Sequence, residues 1–310
     1  MSLNQSVLIC DHVNPTLKEI LEKNGLKVTY EPEITTEQIA EKIGNFQVVV
    51  VRGRTKLSRE LIEKADKCKI IARVGVGLDN IDQEAAKEKN IRVINAVEGA
   101  ITAVAELVIG LMLSMAREIP RADREIRNGN WIKKELAGSE LKGKYLGIIG
   151  LGNIGKRLGR LTRALNMNII GYDVVPIDEE FSKEVGLMKA DLDTLLSSAD
   201  YVSLHVPLLD STHHMINAEK LKLMKNTARI INTSRGGVID EEALYNSLKE
   251  GNIAGAAFDV FEVEPATGNK LTTLPNFIAT PHMGAQTKEA QLLAANIIAE
   301  KIIQVLRGVL

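Results

Sequence analysis

The feature that most constrains this chain is Gly150-Leu151-Gly152-Asn153-Ile154-Gly155, which follows the apolar run Tyr145–Ile149 and opens a stretch of helical periodicity. Glycines at this spacing permit a tight turn and let backbone N–H groups at a helix N-terminus approach a pyrophosphate. Asp173 ends the next apolar run, Asn168–Tyr172, about twenty residues on, where a carboxylate can accept hydrogen bonds from an adenine ribose diol and repel a 2′-phosphate. Strand, glycine loop, helix, strand and acid in that order predict a dinucleotide-binding βαβ unit that favours NAD over NADP.

The same strand and helix alternation runs along the rest of the chain. Val7–Cys10, Val48–Val51, Ile70–Val74 and Ile91–Ile94 read as strands, and Leu57–Ala65 and Gln83–Lys89 carry helical periodicity between them. After Asn95 the pattern changes to one apolar helix, Ile101–Arg117, then a polar stretch around Asn128–Ser139, which places a domain boundary near residue 97. A second series follows, with strands expected at Tyr145–Ile149, Asn168–Tyr172, Tyr201–Leu204, Arg229–Asn232, Ile253–Phe258 and Phe277–Ala279. The last segment, Gln286–Leu310, repeats apolar residues at helical spacing and should pack on a core. The fold class is therefore α/β, with two Rossmann-like or flavodoxin-like domains built on parallel sheets.

Composition narrows the function. With 310 residues, 45% of them hydrophobic, the chain can bury a sizeable core. Lys+Arg 39 against Asp+Glu 40, with aromatics at 4%, supply neither a basic field nor stacking rings, so nucleic acid is not an expected partner. Cys10 and Cys68 stand far apart and form no Cys-x-x-Cys pair, which argues against a disulfide framework or structural zinc and suits a reducing cytoplasm. Ala103–Ala116 is interrupted by Glu106 and reads as too short to span a membrane. His213 and His214 are adjacent but have no third ligand nearby, so no metal is expected.

Three later segments place polar residues where strands should end: Asn232-Thr233-Ser234-Arg235-Gly236-Gly237, Asp259–Pro265 and Pro281-His282-Met283-Gly284-Ala285. In open α/β sheets, ligands sit outside the carboxyl ends of strands, so all three point to one crevice. Removing hydride from C2 of a hydroxy acid needs a base for the hydroxyl proton, and His282 suits that task near neutral pH. Glu264 beside such an imidazole would favour its protonated form and fix its tautomer, and Arg235 offers a planar fork for a substrate carboxylate.

These segments, with Gly75-Val76-Gly77-Leu78-Asp79-Asn80-Ile81-Asp82 and the glycine loop, resemble the D-isomer-specific 2-hydroxyacid dehydrogenases over nearly the whole chain. The resemblance implies that Arg235, Glu264 and His282 are catalytic and that the backbone of Val74, Gly75, Val76 and Gly77 receives the substrate carboxylate. It implies dinucleotide contacts from Val76, Gly150, Gly152, Asn153, Ile154, Gly155, Asp173, Val206, Pro207, Thr233, Ser234, Arg235, Asp259, His282, Gly284 and Ala285. It further implies a substrate domain of residues 1–97 plus 286–310, an NAD-binding domain of residues 98–285 with a cleft between them, and a homodimer built on the apolar helix.

Within that family the chain looks most like the enzymes that oxidise D-3-phosphoglycerate to 3-phosphohydroxypyruvate, the first step of the phosphorylated route to serine. Arg52, Arg54 and Lys56 alternate after Val48–Val51, and Arg73 closes the next run, a basic cluster able to hold a second anionic group. Arg52 and Arg73 resemble the phosphate-binding arginines of those enzymes, while Lys133 stands where relatives place an arginine that reaches the partner subunit. Long members carry a regulatory domain after the core; the chain ends just past its terminal helix, so feedback through such a domain is not expected. Two other readings stay open: a glyoxylate or hydroxypyruvate reductase, and an NAD-sensing interaction protein like the corepressors that resemble this family.

Overall fold

The computed structural model describes residues 5–309; residues 1–4 and 310, at the outer ends of the expected segments 1–97 and 286–310, lie outside the described residues. The chain forms two compact units, one from Met1–Ile101 with Ala285–Leu310 and one from Thr102–Gly284. The division falls four residues beyond residue 97 because the turn Val97–Ala100 packs closely on the terminal helix: a Cβ added at Gly99 would lie 3.0 Å from that of Ala294.

In the first unit, strands β1 (Ser6–Ile9), β2 (Lys27–Tyr30), β3 (Val48–Val51), β4 (Ile70–Arg73) and β5 (Arg92–Asn95) pair in parallel in the order β2-β1-β3-β4-β5. This is the flavodoxin-like winding. Both faces of the central strands are covered, so β3 reads as four consecutive valines, all buried, instead of an alternating pattern. Val48 and Val50 pack with the helix Lys288–Leu306 through Ala295, Ile298 and Ile302, while Val49 and Val51 face Ile39, Leu61 and Ile62.

In the second unit, β6 (Tyr145–Ile149), β7 (Asn168–Tyr172), β8 (Met188–Lys189), β9 (Tyr201–Leu204), β10 (Arg229–Asn232), β11 (Gly255–Phe258) and β12 (Phe277–Ala279) form a parallel sheet in the order β12-β11-β10-β9-β6-β7-β8. The order reverses between β6 and β9, the switch point at which doubly wound sheets bind dinucleotides. One layer of core lies on each face, around Val202, Ile230 and Phe258 on one side and Ile148, Leu158 and Ile231 on the other.

Two strands and a helix escape the periodicity. β2 is an edge strand with no fully buried residue, and β8 has two residues, both exposed, so neither has the apolar run that marks a central strand. The helix Ile119–Arg127 buries no residue completely. One expectation is corrected: the turn Val97–Ala100 continues into the helix Ile101–Ala116, giving a 20-residue helical run of mean hydropathy 1.9 that is long enough to cross a membrane. More than half of that run is buried within the protein, as in the core helix of a globular unit.

Candidate functional site

The residues singled out in the second unit all leave the carboxyl ends of parallel strands, so they share one edge of the sheet. β6 runs into Gly150–Gly155, β7 into Asp173, β9 into His205-Val206-Pro207, β10 into Thr233-Ser234-Arg235, β11 into Asp259, and β12 into the turn that bears His282.

At the switch point two of the three glycines, Gly150 and Gly155, are sterically required. Gly150 has φ +90°, and a Cβ there would lie 2.6 Å from the carbonyl oxygen of His205 and 2.9 Å from the Val206 side chain. A Cβ on Gly155 would sit 2.1 Å from the Gly150 carbonyl oxygen, so the helix Asn153–Ala164 starts hard against the turn. Gly152 is the N-cap of that helix; it has no capping side chain, and open space surrounds the place of its missing Cβ. Exposed N–H groups at this positive helix end suit an anion. Asp173 accepts the N–H of Leu151 at 2.7 Å and of Val175 at 3.1 Å, which fixes its carboxylate beside the loop and leaves further lone pairs for a diol. Along the same edge, Thr233 Oγ1 is buried with no hydrogen-bond partner among the described residues. An uncapped helix end, an anchored carboxylate and an orphaned hydroxyl fit a dinucleotide.

The loop after β10 is shaped by Asn232, which is 1% exposed. Its Oδ1 accepts from the N–H and Oγ of Ser234 at 3.0 and 2.8 Å, and its Nδ2 donates to the Arg235 carbonyl at 2.9 Å. Arg235 Nη1 donates in turn to the Ser234 carbonyl at 2.6 Å, so the guanidinium is held against its own loop. Gly236 then lies so close to the next loop that a Cβ would meet the Phe261 carbonyl oxygen at 1.9 Å. This contact seats the arginine loop on the segment that carries Glu264.

Glu264 Oε1 accepts the N–H of Phe261 at 3.1 Å, and Oε2 pairs with Nδ1 of His282 at 2.7 Å. The imidazole and carboxylate are therefore in direct contact. Side-chain exposures of 52% for His282 and 37% for Glu264 leave the pair accessible to a ligand. His282 adopts φ +51°, a left-handed conformation that costs a non-glycine residue roughly 1 to 3 kcal/mol. Asp259, 1% exposed, stabilises that turn: Oδ1 accepts from Thr280 Oγ1 at 2.6 Å and from the Met283 N–H at 2.8 Å, and Oδ2 from the Gly284 N–H at 2.8 Å.

The first unit holds the remaining residues, Arg52, Arg73, Val74, Gly75, Val76, Gly77 and Ala285. Val74 extends β4 by donating to the Val51 carbonyl, and Gly75 turns with φ +148°. A Cβ at Gly75 would lie 1.7 Å from Arg73 Nη1, so the guanidinium occupies the space that any side chain would need. Asn95 Nδ2 caps the Val76 carbonyl at 2.6 Å, and Asn80 Nδ2 braces the carbonyls of Arg52 and Thr55 at 3.2 and 2.7 Å.

The basic cluster separates on inspection. Arg54 does not join Arg52: its guanidinium donates to the carbonyls of Cys10, Pro32 and Ile34 at 2.6, 2.7 and 3.1 Å and pairs with Asp11 at 3.3 Å. Arg52 donates instead to Gln286 Oε1 at 3.1 Å, and its burial lowers its pKa. Asp11 is a residue that motif reasoning passes over. It is 2% exposed, accepts the Arg52 and Thr55 N–H groups and Thr55 Oγ1, and so sets the loop on which Arg52 stands. The available signal was an aspartate at the carboxyl end of the first strand.

Other reactive groups have structural places. Burial pushes the Cys10 thiol up to about 12 and the Cys68 thiol to about 11, which removes both as thiolate nucleophiles near neutral pH. His205 Nε2 contacts Ser203 Oγ at 2.9 Å, and desolvation lowers its pKa from 6.5 to about 4.

Known proteins resemble this chain along most of its length. Residues 109–284 match the D-isomer specific 2-hydroxyacid dehydrogenase NAD binding domain. D-3-phosphoglycerate dehydrogenase of Methanocaldococcus jannaschii is 49% identical over 303 residues, 97% of this chain and 57% of that protein. Hydroxypyruvate reductase of Thermotoga maritima is 45% identical over 301 residues, 94% of this chain and 97% of that protein. The crystal structure of the TT0316 protein from Thermus thermophilus superposes with a TM-score of 0.90 at 30% identity, covering 98% of this chain and 97% of that one. This chain thus spans little more than half the length of the phosphoglycerate dehydrogenase it matches and nearly all of the reductase. With the match extending over more than half of its residues, the chain belongs to the D-isomer specific 2-hydroxyacid dehydrogenase family, and NAD is its cofactor.

Proposed function

We propose that the protein oxidises D-3-phosphoglycerate to 3-phosphohydroxypyruvate with NAD, and that Arg235, Glu264 and His282 carry the chemistry. The single observation that carries the reading is the 2.7 Å pair of His282 Nδ1 with Glu264 Oε2. With Nδ1 committed to the carboxylate, Nε2 is the ring atom left to take the proton from the substrate hydroxyl as the C2 hydride departs. Glu264 faces the positive charge that then forms on the ring, and Arg235 forks the substrate carboxylate and polarises the developing carbonyl. Bound NAD supplies the hydride acceptor.

In the first unit, the backbone of Val74–Gly77 receives the carboxylate, and Arg52 and Arg73 take the phosphate. Gly150, Gly152, Asn153, Ile154 and Gly155 cradle the pyrophosphate, and Asp173 accepts from the adenine ribose. Val76, Val206, Pro207, Thr233, Ser234, Asp259, Gly284 and Ala285 complete the dinucleotide contacts. The exposed apolar residues Leu113, Ile119, Ile126 and Trp131 support a homodimer formed through this region, and two buried free cysteines suit a reducing cytoplasm.

A second reading, reduction of hydroxypyruvate or glyoxylate, is favoured by the 45% identity to the Thermotoga maritima hydroxypyruvate reductase along nearly its whole length. A panel of 2-oxo acids with NADH, phosphorylated and not, followed at the nicotinamide absorbance, decides between them. The first reading expects the highest kcat/KM for 3-phosphohydroxypyruvate; comparable values for glyoxylate overturn it.

A further inference from the structure

We infer that Gln286 is a specificity-setting positioning residue: its side-chain oxygen orients the Arg52 guanidinium toward a second anionic group on the substrate. The inference rests on the phosphate role proposed for Arg52 and goes beyond it by naming what keeps that arginine both charged and aimed.

Two anchors define Arg52. Its backbone N–H is tied to the buried Asp11 carboxylate, which fixes the start of the side chain, and Asn80 Nδ2 holds its carbonyl at 3.2 Å. Its far end is held by Gln286, whose Oε1 accepts from Arg52 Nη2 at 3.1 Å and from Gln291 Nε2 at 2.9 Å. Gln291 lies one turn into the helix Lys288–Leu306, whose N-cap Thr287 accepts the Ala290 N–H. The Gln286 oxygen is thereby fixed to a rigid element, and it fixes the guanidinium in turn.

The chemistry of the partner matters as much as its position. An amide oxygen is neutral: it takes one of five guanidinium N–H donors and leaves the positive charge uncompensated. The carboxylate that Arg52 could otherwise use, Asp11, is already paired with Arg54 at 3.3 Å. Arg54 takes the direct ion pair with Asp11, whose charge reaches the Arg52 guanidinium only at longer range, and Gln286 limits the rotamers that binding must freeze. A glutamate at 286 would place a competing anion on the same donors; a leucine would release the guanidinium without changing any charge.

The test compares wild type, Gln286→Glu and Gln286→Leu on 3-phosphohydroxypyruvate and hydroxypyruvate with NADH, each as KM and kcat separately. Gln286→Glu is expected to raise KM for the phosphorylated acid at least tenfold and for the unphosphorylated acid less than twofold, with the difference shrinking as ionic strength rises. Gln286→Leu is expected to raise the phosphorylated KM about threefold, consistent with one released arginine side chain. A wild type that does not prefer the phosphorylated acid overturns the proposed function and this inference with it. A wild type with the preference, together with a Gln286→Glu variant that retains it, overturns the inference alone. Equal KM increases for both acids also overturn it, since they report only a disturbed fold.

Discussion

Asp259 and His282 hold each other through the backbone: the His282 N–H donates to the Asp259 carbonyl at 2.9 Å while the Asp259 carboxylate collects the N–H groups of the two following residues. The left-handed φ of His282 exists because three bonds to one buried aspartate offset its cost. Asp259→Asn replaces an acceptor by an NH2 group facing an N–H. It is expected to lower stability by about 2 kcal/mol and kcat by about 10²-fold through misplacement of the imidazole. Chemical denaturation and steady-state kinetics check both; a variant with wild-type kcat shows that the turn does not depend on this carboxylate.

His282→Ala removes the proposed proton acceptor itself. Turnover should fall by about 10² to 10⁴-fold while the NADH dissociation constant, measured by calorimetric titration, changes little. Near-normal turnover assigns the base elsewhere.

Gly236→Ala tests the contact between the loop that bears Arg235 and the loop that bears Glu264. The added methyl would sit 1.9 Å from the Phe261 carbonyl oxygen, so the loops must part. A loss of about 1 to 3 kcal/mol in stability is expected, accompanied by a kcat decrease larger than the change in cofactor affinity. Unaltered kcat in the folded variant would show that the loops need not touch.

Stability should depend on pH through His205, whose folded pKa of about 4 lies below its usual 6.5. Above pH 6.5 both the folded and unfolded forms are neutral at this site and the contribution is complete. As pH falls from 6.5 toward 4, the unfolded chain binds a proton that the folded chain does not, and stability is lost; below 4 both bind it and the loss stops. Between pH 7 and pH 5 the change is about 2 kcal/mol. Urea unfolding of wild type and His205→Gln at the two pH values checks this: the variant should lack that increment of pH dependence.

Asp173→Ser tests cofactor choice. Loss of the carboxylate should weaken NADH binding about tenfold, the order of one charge-assisted hydrogen bond to a diol, and narrow its advantage over NADPH. An unchanged preference in fluorescence titration would place the selectivity on another group.

Much of this was legible in the sequence because its determinants are local. Buried parallel strands need continuous apolar runs, so Val48–Val51 and Tyr201–Leu204 announce themselves, and glycines at 150 and 155 are demanded by backbone contacts under 3 Å. Strand ends carry the polar residues of the site, which is why Thr233, Asp259 and His282 could be named from position. What could not be read were contacts set by tertiary proximity. Arg54 alternates with Arg52 and looks equivalent, yet the carbonyls of Cys10, Pro32 and Ile34 converge on it only after β1, the segment after β2 and β3 come together. A sequence separation of 41 between Asp11 and Arg52 hides the bond that sets the loop, and one of 234 between Arg52 and Gln286 hides the one that holds the end of the side chain.

The empty place at Gly75, filled by the Arg73 guanidinium, also bears on engineering. Any replacement at Gly75 would have to displace the flexible Arg73 guanidinium and adopt a φ of +148°, so a change there alters the arginine and the backbone turn together. Gln286, whose side chain is exposed, is free of that constraint.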